Sequence, residues 1–186
     1  MVHFIKNMVC NRCIMAVQRV FEDLGHQPVR ISLGNVETAS PISNDDLERL
    51  REALVSYGFE LIDDTKSQLI EKIKNTVVQS VHHSNEDLKI NYSEYIESHL
   101  NRDYAYLSSL FSEVEGTTIE KYIILQKIER VKELLVYDEL TLSEIAWQMG
   151  YSNVAYLSNQ FKKVTGLTPS HFKQVKENKR KPLDEV

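Results

Sequence analysis

Cys10 and Cys13 are the two cysteines of the chain, and a three-residue separation lets both thiols converge on one point. Two sulfurs so placed can hold a soft metal ion, since thiolates select Cu(I), Ag(I), Hg(II) or Zn(II) over magnesium and calcium. They do not complete a tetrahedral zinc shell, which needs four ligands. A linear site for a monovalent ion is therefore favoured, with Cu(I) the leading candidate cofactor. The competing reading is a reversible disulfide between Cys10 and Cys13, with Arg12 stabilising a thiolate; a pair without any ligand is the third. His82 and His83 are adjacent, and neighbours on a helix point in different directions, so they read as solvated or capping side chains.

A second chemistry lies at the other end. The chain carries 22 basic and 27 acidic residues, a net charge of −5, which argues mildly against nucleic acid because phosphate contacts need Lys and Arg. The distribution argues the other way. Residues 1–64 hold 6 basic and 10 acidic side chains, whereas 161–181 hold Lys162, Lys163, Lys173, Lys176, Lys179, Arg180 and Lys181 against Glu177. Enzyme signatures are missing: there is no phosphate-cradling glycine loop, no G-x-S-x-G and no H-E-x-x-H. A catalytic reading would rest on the cysteine pair alone, so the chain is not expected to be an enzyme. Its apolar runs are far too short to cross a bilayer, and Met1 to Asn7 lacks the pattern of a secretory signal. A cytoplasmic protein without a membrane partner is expected.

The elements that must position these groups fall into two sets. His3–Asn7 reads as a strand, and Arg12 to Leu24 as a helix with Ile14, Val17, Val20, Phe21 and Leu24 on one face and Gly25 as its stop. Val29, Ile31 and Leu33 alternate, Gly34-Asn35 is a tight-turn signal, and Val36–Ala39 returns antiparallel. Ser43 or Asn44 caps a second helix that buries Leu47, Leu50, Ala53 and Leu54 and ends at Gly58. Phe59 to Ile62 supplies a last strand. From Thr65 to about His83 the period is helical, with Leu69, Ile70, Ile73, Val77 and Val81 in register. The domain boundary is set at 64, giving domains 1–64 and 65–182, and the absence of a Pro/Gly-rich linker predicts a stiff connection.

The second domain contains a repeat. Residues 93–122 written above 143–172 match at Ser93, Glu94, Ala105, Tyr106, Leu107, Ser108, Phe111, Val114, Gly116 and Thr118, ten identities in 30 positions. Each copy reads as a short helix, a turn, a second helix with Leu and Phe four apart, and a closing glycine. That is helix-turn-helix architecture. Leu107 with Phe111, and Leu157 with Phe161, are predicted to face inward and leave the opposite face free for a DNA groove. Trp147 and the tyrosines at helical spacing read as core or groove-edge groups.

The stretches Thr141–Ser152, Tyr156–Lys163 and Thr165–Phe172 closely resemble the signature of the AraC family, and the likeness extends over roughly residues 70–178. The resemblance implies two recognition helices placed in successive major-groove segments, spaced by the helix Glu120–Leu135. It assigns base-facing positions to Val154, Ala155, Ser158 and Asn159, and the matching Tyr104, Ala105, Ser108 and Ser109 in the first copy. Asn159 is the strongest base reader, since an amide can pair with adenine at two points. Lys162, Lys163 and Lys173 would serve phosphates. The first copy departs from the pattern. Ile96 stands opposite Ala146 and Leu100 opposite Gly150, which puts its turn geometry in doubt. Glu86, Asp87, Glu94, Glu97, Asp103, Glu113, Glu115 and Glu120 face Lys89 and Arg102, so this copy should repel phosphate more than the second.

Met8-Val-Cys-Asn-Arg-Cys13, between a strand and a helix start, resembles the metal-binding loop of heavy-metal-associated domains, and the βαββαβ order and Tyr57-Gly58-Phe59 extend that likeness over 2–63. It implies a ferredoxin-like α+β domain ahead of the all-α domain, metal ligands Cys10 and Cys13, Met8 as inward support and Tyr57 beside the loop. Asn7 stands where the family often has glycine. Together these readings predict a regulator that binds double-stranded DNA and responds to a soft ion at Cys10 and Cys13. The alternatives are a thiol/disulfide-responsive regulator, or a metal carrier whose helical half binds a protein. A homodimer is compatible with either.

Overall fold

The computed structural model describes residues 1–83, 91–175 and Leu183. Two compact units result, Met1–Asn75 and Thr76–Val186. The residues Glu86, Asp87 and Lys89 of the first copy's charge reading, and Lys176, Glu177, Lys179, Arg180 and Lys181 of the basic cluster, lie outside the described residues.

In the first unit the order is β1 (Val2–Lys6), α1 (Asn11–Asp23), β2 (Pro28–Ser32), β3 (Asn35–Thr38), α2 (Asn44–Ser56), β4 (Glu60–Ile62). The four strands form one antiparallel sheet in the order β2-β3-β1-β4. Strand β1 alternates, with His3 and Ile5 buried and Phe4 and Lys6 half-buried, as a strand with one face on the core should. The core gathers Ile5, Met8, Val17, Val20, Phe21, Val36, Leu50, Leu54 and Leu61. Helix α2 starts where Ser43 accepts a hydrogen bond from the Asp46 N–H at 3.2 Å, an N-cap reinforced by Asp45 and Asp46 at the positive end of the helix.

The hairpin turn sits one residue earlier than the expected Gly34-Asn35. Ser32 pairs with Asn35 across the ladder, so Leu33 and Gly34 form the turn and Gly34 takes the left-handed backbone at φ 81°. Asparagine's turn preference is overridden because its side chain is used across the ladder, accepting from the Ser32 hydroxyl at 2.7 Å.

Helix α3 (Thr65–Val78) follows and leads into a π-helical turn, Gln79–His83. The first unit takes in α3 as far as Asn75, beyond the position 64 at which the sequence pattern changes. Its polar groups hold it there. Glu71 accepts the Asn7 N–H at 3.1 Å, the Lys72 ammonium lies 4.7 Å from the Phe4 ring centre, and Asn75 is buried beside Gly34.

The second unit consists of α4 (Tyr92–Leu100), α5 (Tyr104–Glu115), α6 (Ile119–Tyr137), α7 (Leu142–Gln148), α8 (Val154–Thr165) and α9 (Pro169–Val175). The repeat governs its packing. Leu107, Phe111, Leu157 and Phe161 are all fully buried. The Phe111 and Tyr122 rings stand 5.7 Å apart, and their counterparts Phe161 and Phe172 stand 5.5 Å apart. Asp103 and Asn153 cap α5 and α8 by accepting from the N–H groups of Tyr106 and Tyr156, and Gly116 and Gly166 close them in left-handed conformation.

Candidate nucleic-acid interface and thiol pair

Helix α8 has one face committed to the core by Leu157 and Phe161, so its remaining positions are free by geometry. Ala155, Asn159, Lys162 and Lys163 are exposed, and Val154 and Ser158 are half-buried at the rim. These residues form one continuous strip. Lys173, on α9, is also exposed, but its ammonium forms an ion pair with Asp138, so a phosphate would have to compete with a carboxylate. Helix α7, which braces α8, begins with a capping box: Thr141 accepts from the Glu144 N–H at 3.3 Å and its own N–H donates to Glu144 Oε2 at 2.7 Å.

The first copy presents a similar strip in different chemistry. Ala105 and Ser109 are exposed and Ser108 is half-buried. Tyr104 is drawn aside: its hydroxyl donates to Glu120 Oε1 at 2.5 Å. Burial first, and then that carboxylate, push the Tyr104 pKa up, while the same hydrogen bond holds Glu120 below the usual carboxylate range. The counterpart of Glu120 in the second copy is Ser170, so the latch belongs to the first copy. The turn doubted from the sequence is formed. Ile96 is accommodated fully buried, Leu100 stays helical, and Asn101 takes the left-handed conformation at φ 49°. The kink thus falls one residue later than at Gly150 (φ 72°). Asparagine tolerates that region better than other non-glycine residues.

Two exposed aromatics were not distinguished from core groups by their spacing. Tyr156 and Trp147 are each 55% exposed, and Trp147 lines a cavity of about 540 Å³ with Ser143, Gly150, Tyr151, Asn153 and Val154, beside the start of α8. A helical period reports which face a residue occupies, and Trp147 falls outside the stripe set by Ile145, Ala146 and Met149. That offset was the available signal.

In the first unit Cys10 is the N-cap residue of α1, and its Sγ lies 3.5 Å from that of Cys13. Both thiols are free and partly exposed. Burial raises the Cys10 pKa, but the N–H and thiol of Cys13 and the N–H and guanidinium of Arg12 outweigh it and bring it below the ordinary thiol value. Burial, joined by repulsion from Cys10, raises that of Cys13. Cys10 therefore ionises first. Asn7, preceding the loop, is left-handed at φ 71° and donates from its side chain to the Gly58 carbonyl at 2.9 Å. Met8 is fully buried in the core, and Tyr57, the C-cap of α2, is 59% exposed.

Among the described residues no three His, Cys, Asp or Glu side chains gather into a metal-binding cluster, so the donor set at this point is two sulfurs. His82 and His83 are not brought together as ligands. His82 donates from Nε2 to Gln126 Oε1 at 2.9 Å, while His83 is exposed. No described helix is long and apolar enough to cross a membrane.

Comparisons with known proteins bear on the helical region. Residues 96–174 match the family described as helix-turn-helix domain. The chain is 27% identical over 101 residues to the regulatory protein PocR of Salmonella typhimurium, covering 54% of this chain and 32% of that protein. It is 36% identical over 77 residues to the uncharacterized transcriptional regulatory protein YesN of Bacillus subtilis, covering 40% of this chain and 20% of that protein. The alignments thus span a third or less of these relatives' own length. Among solved structures, the chain resembles the C-terminal domain of AraT, a response regulator from Geobacillus stearothermophilus, with TM-score 0.52 and 23% identity, over 63% of this chain and 95% of that one. It also resembles a transcriptional regulator from Chromobacterium violaceum described among AraC-type DNA-binding domain-containing proteins, with TM-score 0.50 and 17% identity, over 62% and 99% of the two chains. The helical region has the fold of AraC-type DNA-binding domains.

Proposed function

We propose that this protein is an AraC-type transcriptional regulator that binds double-stranded DNA through α8 and adjusts that binding to a soft cation, Cu(I) foremost, held by Cys10 and Cys13. The observation that carries the DNA reading is the outward strip of α8: Ala155, Ser158 and Asn159 backed by Lys162 and Lys163, above a core-facing Leu157 and Phe161. An amide flanked by small residues can approach base edges in the major groove, while the lysines take the flanking phosphates. Ala105, Ser108 and Ser109 of α5 would approach a second groove segment more weakly, because Tyr104 is latched by Glu120 and the surroundings are acidic. Lys173 would contribute only after leaving Asp138.

The first unit supports the sensing reading through its topology and its donors. The sheet order β2-β3-β1-β4 with α1 and α2 is the order of a ferredoxin-like fold, which we assign to it. Two sulfurs without a third ligand among the described residues suit a two-coordinate soft ion. The two sulfurs that would hold it lie 3.5 Å apart. Cys10 and Cys13 would hold the cation as thiolates, and a monovalent ion in place of two thiol protons would leave the loop one unit more negative. Cys10, the more acidic thiol, would supply its thiolate more readily than Cys13. Met8, fully buried, would support the loop from the core, and Tyr57, next in sequence to the Gly58 whose carbonyl Asn7 bonds, would flank it. Asn7, at the start of the loop, is bonded through its N–H to Glu71 of α3, which ties the loop to α3 within its own unit.

The test is selection of DNA from a random duplex library by the full chain under reducing conditions, with and without Cu(I). The reading expects a recurrent motif whose enrichment changes with Cu(I), and loss of that change in the Cys10→Ser, Cys13→Ser variant. A motif that responds instead to oxidant, with Cu(I) inert, would favour the disulfide reading, which the 3.5 Å sulfur contact also supports. Absence of any recurrent motif would remove the DNA reading and leave a metal carrier with a protein-binding helical half.

A further inference from the structure

We infer that Lys127 is a positioning residue that holds the two helix-turn-helix copies at one fixed separation. It lies in the middle of α6, the helix that joins them. Its ammonium donates to the Met149 carbonyl at 3.0 Å, at the C-terminal end of α7. The same ammonium lies 5.1 Å from the centre of the Tyr92 ring, at the first residue of α4, and 5.7 Å from that of Tyr151, in the turn between α7 and α8. One cation on the connecting helix therefore touches the start of the first copy and the turn of the second.

The chemistry suits that place. A carbonyl of a helix's last turn lacks an intrahelical donor, and aromatic faces within about 6 Å attract a cation. A methionine or leucine here would fill the space but leave the Met149 carbonyl without its donor and both ring faces without their charge. Burial pulls the Lys127 pKa down to about 8, so the ammonium is still charged at neutral pH. Keeping a charge in so enclosed a position costs stability, and the three contacts offset that cost by binding three elements to one point. The inference rests on the DNA reading for its consequence, since two readers on one chain gain affinity from each other only at a separation their targets share.

The experiment measures the distance between spin labels at Val114→Cys and Val164→Cys, which occupy matching exposed positions of α5 and α8, in full-length protein carrying Cys10→Ser and Cys13→Ser. The parent should give one narrow distribution. Lys127→Met should broaden or split it while the melting temperature stays within a few degrees, and Lys127→Arg, which keeps a cation, should restore it. Tyr92→Leu, which removes one ring and leaves the carbonyl bond, should broaden it less; this variant decides the matter where Lys127→Met does not fold. An unchanged distribution in the folded variants overturns the inference. Binding to a selected duplex is read alongside, with about a ten-fold loss expected for Lys127→Met. If the wild-type chain selects no duplex with or without Cu(I), yet the distribution still broadens, the DNA reading falls and the positioning role stands. If the parent selects a duplex and Lys127→Met matches it in both distance and affinity, the positioning role falls and the DNA reading stands.

Discussion

Asn159 is the side chain on which sequence selectivity should turn, because it is the one exposed amide on the outward strip of α8. Replacing it with alanine should weaken binding to the selected duplex by about 1–3 kcal/mol and relax the preference at one base pair. Lys162→Ala should instead weaken all duplexes alike and lower the salt slope by about one. Titration of the two variants against matched and mismatched duplexes at several salt concentrations separates the roles. A second residue-scale prediction concerns stability. Burial pulls the His82 pKa down to about 4, against a hydrogen bond to Gln126 that raises it. Its folded value lies below the unfolded value of about 6.5, so the unfolded chain takes up the proton first. The contribution is complete above pH 6.5 and is lost as pH falls toward 4, by up to about 3 kcal/mol. In His82→Gln the melting temperature should fall less steeply across that window. The outward strip was legible from the Leu157/Phe161 spacing, but the Tyr104 latch and the Lys173–Asp138 pair were not, since their partners are 16 residues away or on another helix.

At the scale of elements, the structure depends on a few termini and turns. Thr141 and Glu144 satisfy two donors at the start of α7, and Thr141→Ala should cost about 1 kcal/mol. Because α7 braces α8, the loss should appear in thermal melts and in weakened DNA binding together. Gly34 is a sharper case. It has φ 81°, and a Cβ there would lie 2.1 Å from the Asn75 side-chain nitrogen, so Gly34→Ala must both strain the turn and displace a buried group of α3. It should lose more than about 1 kcal/mol, and denaturant midpoints of the two proteins measure this directly. Helices and strands were readable because their apolar periods are strong and their caps are of the right residue types. Turns were less so: the hairpin shifted by one residue because Asn35 serves the ladder. The first copy's kink moved to Asn101 because Leu100 stays in the helix. Both outcomes are decided by packing across elements, which no local window contains.

For the molecule as a whole, a net charge of −5 and a DNA-binding role are compatible only if the field is uneven. Lys162 and Lys163 mark the last turn of α8, whereas Glu94, Glu97, Asp103, Glu113, Glu115 and Glu120 surround α4 and α5. Association should therefore be carried by a few phosphates on the α8 side. The slope of log affinity against log salt, about −0.9 per phosphate, should be shallow, near about −3. Specific contacts should then supply a large share of the affinity. If Cys10 and Cys13 hold Cu(I) as proposed, the ion can shift DNA binding only by as much as it prefers one arrangement over the other. On the proposed sensing role, linkage makes any such effect reciprocal: a selected duplex would change the Cu(I) affinity of Cys10 and Cys13 by the same factor as Cu(I) changes the duplex affinity. Competition with a Cu(I) chelator, run with and without the duplex, gives that factor independently of the DNA titration. Equal factors from the two experiments are expected. A Cu(I) affinity indifferent to a duplex whose own binding responds to Cu(I) would mean that the ion acts elsewhere than at these two thiols.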